Sequence, residues 1–444
     1  MKRYVLLASA LLLLSSFTLQ AQEETYGILV EKVNPKKLSE AIAKSNAEIT
    51  DAKKNAKAST WFKRGNVFYD AAIKPTNGLY VGLDEATLLA TFGKDITPTP
   101  VEIDGQTFSE YTFEHFKAYV KDKKVASFVP VTVIDPNAYD KAYEAYAKAY
   151  SLDPSPKMQQ KVRTGILDLI SSSKQQAGNY FTLHKYPEAA YLFRRAYEMG
   201  LNETVGVVDT LSIYYAGYIS TIAGKFKDGA DYLQVALKLG LEDNGDTYYY
   251  LFHAYYNLEE YEKGLELLKE AIAKYPNNNN IIEGLLTLYS TMDGKDPNEI
   301  IPMVEHAIEL DPKNPSLYFG LGRVYDKLGQ TDKAIESMQK SVDLSPDDFY
   351  SNFNLAFFIM KKGDEMNNEL NGHYYTSQEE YNKDLAKVSA VYASAIPILE
   401  KAHQANPDDL TTVELLKNVT FRLRDDGMGE KYEQYNALYN SMKK

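Results

Sequence analysis

Six histidines, at 115, 184, 253, 306, 373 and 403, are the side chains best suited to hold a metal or shuttle a proton. No two stand three to five residues apart, so none has the paired spacing of a helical zinc site. There is no cysteine, which removes disulfides, thiolate metal sites and cysteine nucleophiles. The acidic run from Glu242 to Asp246 lacks the spacing and terminal glutamate of a calcium loop and reads as a solvated turn. No glycine-rich phosphate loop follows a strand, and no serine sits in a nucleophile elbow. These residues point away from an enzyme and away from any metal or cofactor.

The side chains in excess are tyrosines, 36 of them spread along 444 residues. Tyrosine suits surfaces that are half apolar and half wet, and it is enriched where proteins meet. The formal net charge is −12, and an acidic surface repels phosphate backbones, so nucleic acid is not an expected partner. Lys2 and Arg3 begin the chain, the run from Tyr4 to Leu14 is mostly apolar, and Ala21 precedes Gln22. That is the layout of a secretory leader over residues 1–21. It predicts export to the periplasm or envelope, a charge two units more negative after cleavage, and no lipid anchor on cysteine. No later run is apolar for the ~20 residues a bilayer span needs, so the mature chain is expected to be soluble.

What positions the tyrosines is a repeat. The segment from Asp246 to Pro276 and that from Ser316 to Pro346 share an aromatic, a leucine, a tyrosine, small residues and a proline at matching offsets. These are Tyr248, Leu251, Tyr255, Gly264, Leu268, Ala271 and Pro276 in one copy. In the other they are Tyr318, Leu321, Tyr325, Ala334, Met338, Ser341 and Pro346. Apolar positions at i, i+3, i+4 and i+7 put one stripe on each helix of a pair, and the proline ends the second helix. Small residues such as Gly322, Ala334 and Ala271 belong where paired helices approach most closely. One pair cannot bury its stripe alone, so neighbours must stack. The pattern resembles the tetratricopeptide repeat (TPR), a helix-turn-helix unit of about 34 residues. The resemblance implies an all-α, right-handed TPR solenoid.

Weaker copies start near Ile170, Thr210 and Asn279. Two units read as split. Trp61, Gly65 and Phe68 mark a first helix whose partner arrives only with Ala142, Tyr146 and Ala149. Residues 74–136 between them form an insertion in which FKAYVKDKKVASFVPVTVI reads as a β-hairpin. Trp61 is expected between the two helices of this split unit. The resulting order is a leader over 1–21, an N-terminal extension and helix over 22–57, and a first TPR over 58–156 interrupted by 74–136. A TPR array over 157–348, a TPR with lengthened helices over 349–408 and capping helices over 409–444 complete it.

The family's best-understood pocket clamps a peptide carboxylate with lysine and asparagine on successive first helices. This chain departs from it, with Phe62 where lysine belongs before Asn66, and Gly178 where asparagine belongs after Lys174. The resemblance instead implies a non-enzymatic interaction scaffold, its concave face lined by residues one place after the consensus aromatic and four and seven further on. These include Phe62, Tyr69, Tyr214, Tyr218, Tyr249, His253, Tyr256, Phe319, Arg323, Phe353 and Phe357. So many apolar faces on a layer one helix deep are expected to mark a groove for a protein or peptide. The other readings are a structural subunit of an envelope or secretion assembly, using the convex face and insertion, and a glycan-binding protein, since tyrosines also stack on sugars.

Overall fold

The computed structural model describes residues 33–276, 278–292 and 295–443, so the leader expected over 1–21 lies outside the described residues. The chain divides into two compact units, residues 1–241 and 242–444. Both are built of paired helices, the TPR hairpin expected from the repeats, and the first carries one small sheet.

The first unit begins with α1 (Pro35–Thr50) and the single turn α2 (Ala52–Asn55), which lead into α3 (Ala58–Ile73). Helix α3 packs along α5 (Ala138–Leu152), and the chain between them folds separately. That insertion holds α4 (Glu85–Phe92) and an antiparallel meander of β1 (Thr99–Ile103), β2 (Gln106–Thr112), β3 (Phe116–Lys121) and β4 (Lys124–Pro130). Leu83, Leu88, Tyr111, Phe116, Val125 and Phe128 give it a core of its own. The hairpin read from KDKK is β3–β4, with Asp122 and Lys123 both at positive φ. A second hairpin joins it, pairing Ile103 with Gln106 across Asp104 and Gly105, which also have positive φ. Two residues in that conformation match the right-handed twist of the strands they connect.

Helix α6 (Pro156–Thr182) runs for 27 residues, started by Ser155, whose hydroxyl accepts from the Met158 amide, and by Pro156 in the first turn. Val162, Ile166 and Leu169 in its first half join Phe68 and Tyr146 in one apolar cluster. Its second half meets β4, where the Ser127 hydroxyl donates to the Asn179 carbonyl at 3.1 Å. Helix α6 then pairs with α7 (Tyr186–Gly200), and α8 (Thr210–Ile222) pairs with α9 (Phe226–Lys238).

The second unit holds the hairpins α10 (Asp246–Asn257) with α11 (Tyr261–Lys274), and α14 (Pro315–Lys327) with α15 (Thr331–Leu344). Between them lie α12 (Asn279–Thr291) and α13 (Ile301–Leu310). The lengthened pair α16 (Phe349–Gly372) and α17 (Gln378–Ala405) follows, then α18 (Leu410–Arg422) and α19 (Gly429–Met442). A Cβ placed on Gly322 would stand 3.2 Å from the Ala334 carbonyl and from Met338, so small residues do mark the closest approach of α14 and α15. The turn inside several hairpins needs one left-handed residue, supplied by Gly224 and Gly329 in two and by His184 and Glu259 in two others.

Trp61 is half-buried rather than enclosed. Its indole N–H donates to the Asn55 carbonyl at 2.8 Å, tying α3 to the turn before it. The space between the split unit's helices belongs to Tyr146. A Cβ on Gly65 of α3 would stand 2.4 Å from the Tyr146 ring, and one on Gly165 of α6 would stand 2.7 Å from it. Two glycines on separate helices thus make the slot into which this ring slides.

Candidate binding surfaces

Helical spacing puts Phe62, Asn66, Tyr69 and Asp70 on one face of α3, and Lys161, Thr164 and Asp168 on one face of α6. The two faces border an open pocket of about 610 Å³, with the edge of Tyr146 between them. The Tyr146 and Phe62 rings lie 5.5 Å apart at 44°. The Tyr146 hydroxyl donates to Asn66 Oδ1 at 2.7 Å, which fixes the amide and turns its N–H groups elsewhere. Burial, then the neighbouring Tyr69, Asp168 and Asp70, push the Tyr146 phenol well above its ordinary pKa, so it remains a donor at any physiological pH. Tyr69 hydrogen-bonds Ser172 at 3.4 Å.

The charged groups divide along the pocket. Lys161 Nζ lies 5.7 Å over the Phe62 ring at the end nearer the N-termini of α3 and α6. Asp70 and Asp168 lie toward the other end, and Asp70 pairs with Lys74 at 3.3 Å. Phe62 and Tyr69 are named by the repeat register, but Lys161, Thr164 and Asp168 are not. They sit in the first half of α6, ahead of the unit that the register starts near Ile170.

In the second unit, α10 packs on α12 and α12 on α14, so three successive first helices lie side by side. Tyr249, His253 and Tyr256 are half-buried on α10, and Phe319 and Arg323 are half-buried on α14. Glu283 of α12 stands between these two sets. It accepts an ion pair from Arg323 at 2.8 Å, and burial followed by this carboxylate raises the Tyr249 phenol pKa. Tyr256 hydrogen-bonds Thr291 of α12 at 3.3 Å. Phe353 and Phe357 lie on α16, half-buried and 43 % exposed respectively. Glu283 is missed by a reading that looks for aromatics, yet it occupies the same offset as Tyr249 and Phe319, one place after Ile282.

Tyr214 and Tyr218 correct the expected groove. They are only 3 % and 6 % exposed, stacked on each other at 6.3 Å, with Tyr218 also 6.4 Å from Phe181 near the end of α6. Most of α8 is buried, and these two rings lie in the core. Among the described residues, no helix is long and apolar enough to cross a membrane, and no three histidine, aspartate or glutamate side chains gather as a metal site would require.

No curated protein matches the chain. Similar solved structures include a TPR-repeats protein from Bacteroides fragilis, 16 % identical over 57 % of this chain and 98 % of that one, with a TM-score of 0.28. A thermophilic TPR protein from Thermus thermophilus is 18 % identical over 43 % of this chain and 99 % of that one, with a TM-score of 0.30. The tetratricopeptide-repeat family model matches residues 303–336, which run from α13 through α14 into the start of α15. That stretch is a tetratricopeptide repeat, and further helical hairpins lie on either side of it.

Proposed function

We propose that this protein is an exported, non-enzymatic scaffold that holds a peptide or protein surface against the first helices of its repeats. The TPR fold is that of interaction scaffolds, and the leader-like start supports export. The observation that carries the reading is the open pocket of about 610 Å³ between α3 and α6, walled by Phe62, Tyr69 and Tyr146 and floored with polar groups. Such pockets bind by burying rings and ordering a few hydrogen bonds. The aromatic row of Tyr249, Tyr256 and Phe319 offers the second unit a contact surface of the same composition.

Two measurements test the reading. The secreted chain is expected to begin at Gln22 by intact mass, and retention of the first 21 residues contradicts export. For binding, Asn66→Arg fills the pocket with a long cation while α3 keeps its buried face. A partner captured by the wild-type protein is expected to be lost by this variant, or by Tyr249→Ala with Tyr256→Ala. Equal capture by all three proteins moves the interaction to another face.

A further inference from the structure

The pocket between α3 and α6 has two ends of opposite charge. Lys161 and Asp168 stand seven residues apart on one face of α6, which a rise of 1.5 Å per residue places about 10 Å apart along the axis. Among the described residues, Lys161 lies over the Phe62 ring and the Asp168 carboxylate makes no ion pair. Both charges are exposed at opposite ends of one pocket, where the charged groups of a guest can reach them. Between them the pocket is lined by the Tyr146 and Phe62 rings and by Asn66, whose Oδ1 accepts from the Tyr146 hydroxyl.

We propose that this pocket takes an extended peptide segment carrying one acidic and one basic side chain three positions apart. The acidic group meets Lys161, the basic group meets Asp168, and the intervening residues lie on Phe62 and Tyr146. The spacing follows from the chain itself. A polyproline-type segment rises about 3.1 Å per residue with three residues per turn, so positions i and i+3 share a face about 9 Å apart. That matches the separation of the two charges, whereas neighbouring residues fall far short of it. Charge complementarity at both ends also sets the direction in which the segment lies, since reversing it opposes like charges. This inference rests on the reading of the pocket as a peptide site and adds the chemistry of its guest.

The test uses the full chain and a set of end-capped, fluorescein-labelled octapeptides, each with one arginine and one glutamate separated by one to five positions. Fluorescence polarisation is expected to rank the i, i+3 peptide tightest. Removing either charge from it is expected to weaken binding at least about tenfold, or about 1.4 kcal/mol. Lys161→Glu and Asp168→Lys should each do the same, and the combined variant should prefer the peptide with arginine and glutamate exchanged. Both positions are exposed, and unchanged melting curves confirm that the variants fold. Binding indifferent to charge and spacing but abolished by Asn66→Arg overturns the bipolar guest while leaving a peptide pocket in place. Absence of binding by any peptide overturns the proposal, and if capture experiments also fail, the scaffold reading falls with it.

Discussion

Tyr146 shows how much of this fold turns on single contacts. Its ring occupies a slot open only because positions 65 and 165 have no side chain, and its hydroxyl orders Asn66. Gly165→Ala should therefore force ring or helix to move and destabilise the protein by about 1–3 kcal/mol, the usual cost of overpacking. A thermal melt checks this, and an unchanged midpoint contradicts the slot. Glu242 gives a pH-dependent case. It accepts from Tyr275, from Tyr248 at 2.9 Å and from Lys274 at 3.1 Å, and these bonds hold its carboxyl at about 2, below its ordinary 4.5. A depressed pKa contributes stability that is full above about pH 4.5 and fades as the pH falls toward about 2. Wild type should thus exceed Glu242→Gln in stability at about pH 6, and the gap should narrow steadily as the pH falls toward about 2. A gap that stays constant across this range means the carboxylate is not held by those partners.

At the scale of elements, the hairpin turns expose a residue that works against its own backbone. Glu259 sits at φ 60, in the place where Gly224 and Gly329 serve two other hairpins. A left-handed residue with a Cβ costs about 1–2 kcal/mol, partly offset by glycine's greater freedom when unfolded. Glu259→Gly is accordingly expected to stabilise the protein by about 0.5–1 kcal/mol in denaturant titration, and destabilisation contradicts this reading of the turn. The insertion invites a larger change. Helices α3 and α5 pack directly, and where β4 meets α6 the Ser127 hydroxyl donates to the Asn179 carbonyl, a bond that water can replace. Joining Ile73 to Asn137 through a short turn should leave a soluble, helical protein, read by circular dichroism. Loss of helix throughout would show that the small sheet is integral to the core.

How far these elements were legible in the sequence depends on what each signal measures. The hairpins from Asp246 and Ser316 could be read because their core positions keep the repeat's residue sizes, and packing tolerates little else there. Strand β3 shows clean alternation, whereas Pro98, Pro100 and Glu102 obscure β1, and only Asp104–Gly105 signals its turn. Tyr214 and Tyr218 sit at groove offsets, but burial is decided by what lies across from them, which no offset reveals. The pocket was half legible for a related reason. Its α3 wall follows the repeat register, while its α6 wall comes from a helix longer than the repeat provides for.

At the scale of the whole molecule, repeat proteins distribute stability locally, each hairpin leaning on its neighbours. Trp61, the single tryptophan, belongs to the first of the two units, so its fluorescence should follow Gly165→Ala and ignore a core truncation such as Leu321→Ala in the second. Such a chain gains little by local rigidity alone; its use is to offer successive helix faces to something else. The most direct measurement is quantitative affinity capture from envelope extracts, comparing wild type with Asn66→Arg and with Tyr249→Ala/Tyr256→Ala, each verified to melt normally. The account predicts at least one protein enriched by wild type whose recovery falls at least about tenfold in one of the variants, equivalent to about 1.4 kcal/mol of binding. No enrichment over a control, or equal recovery with all three proteins, would contradict it.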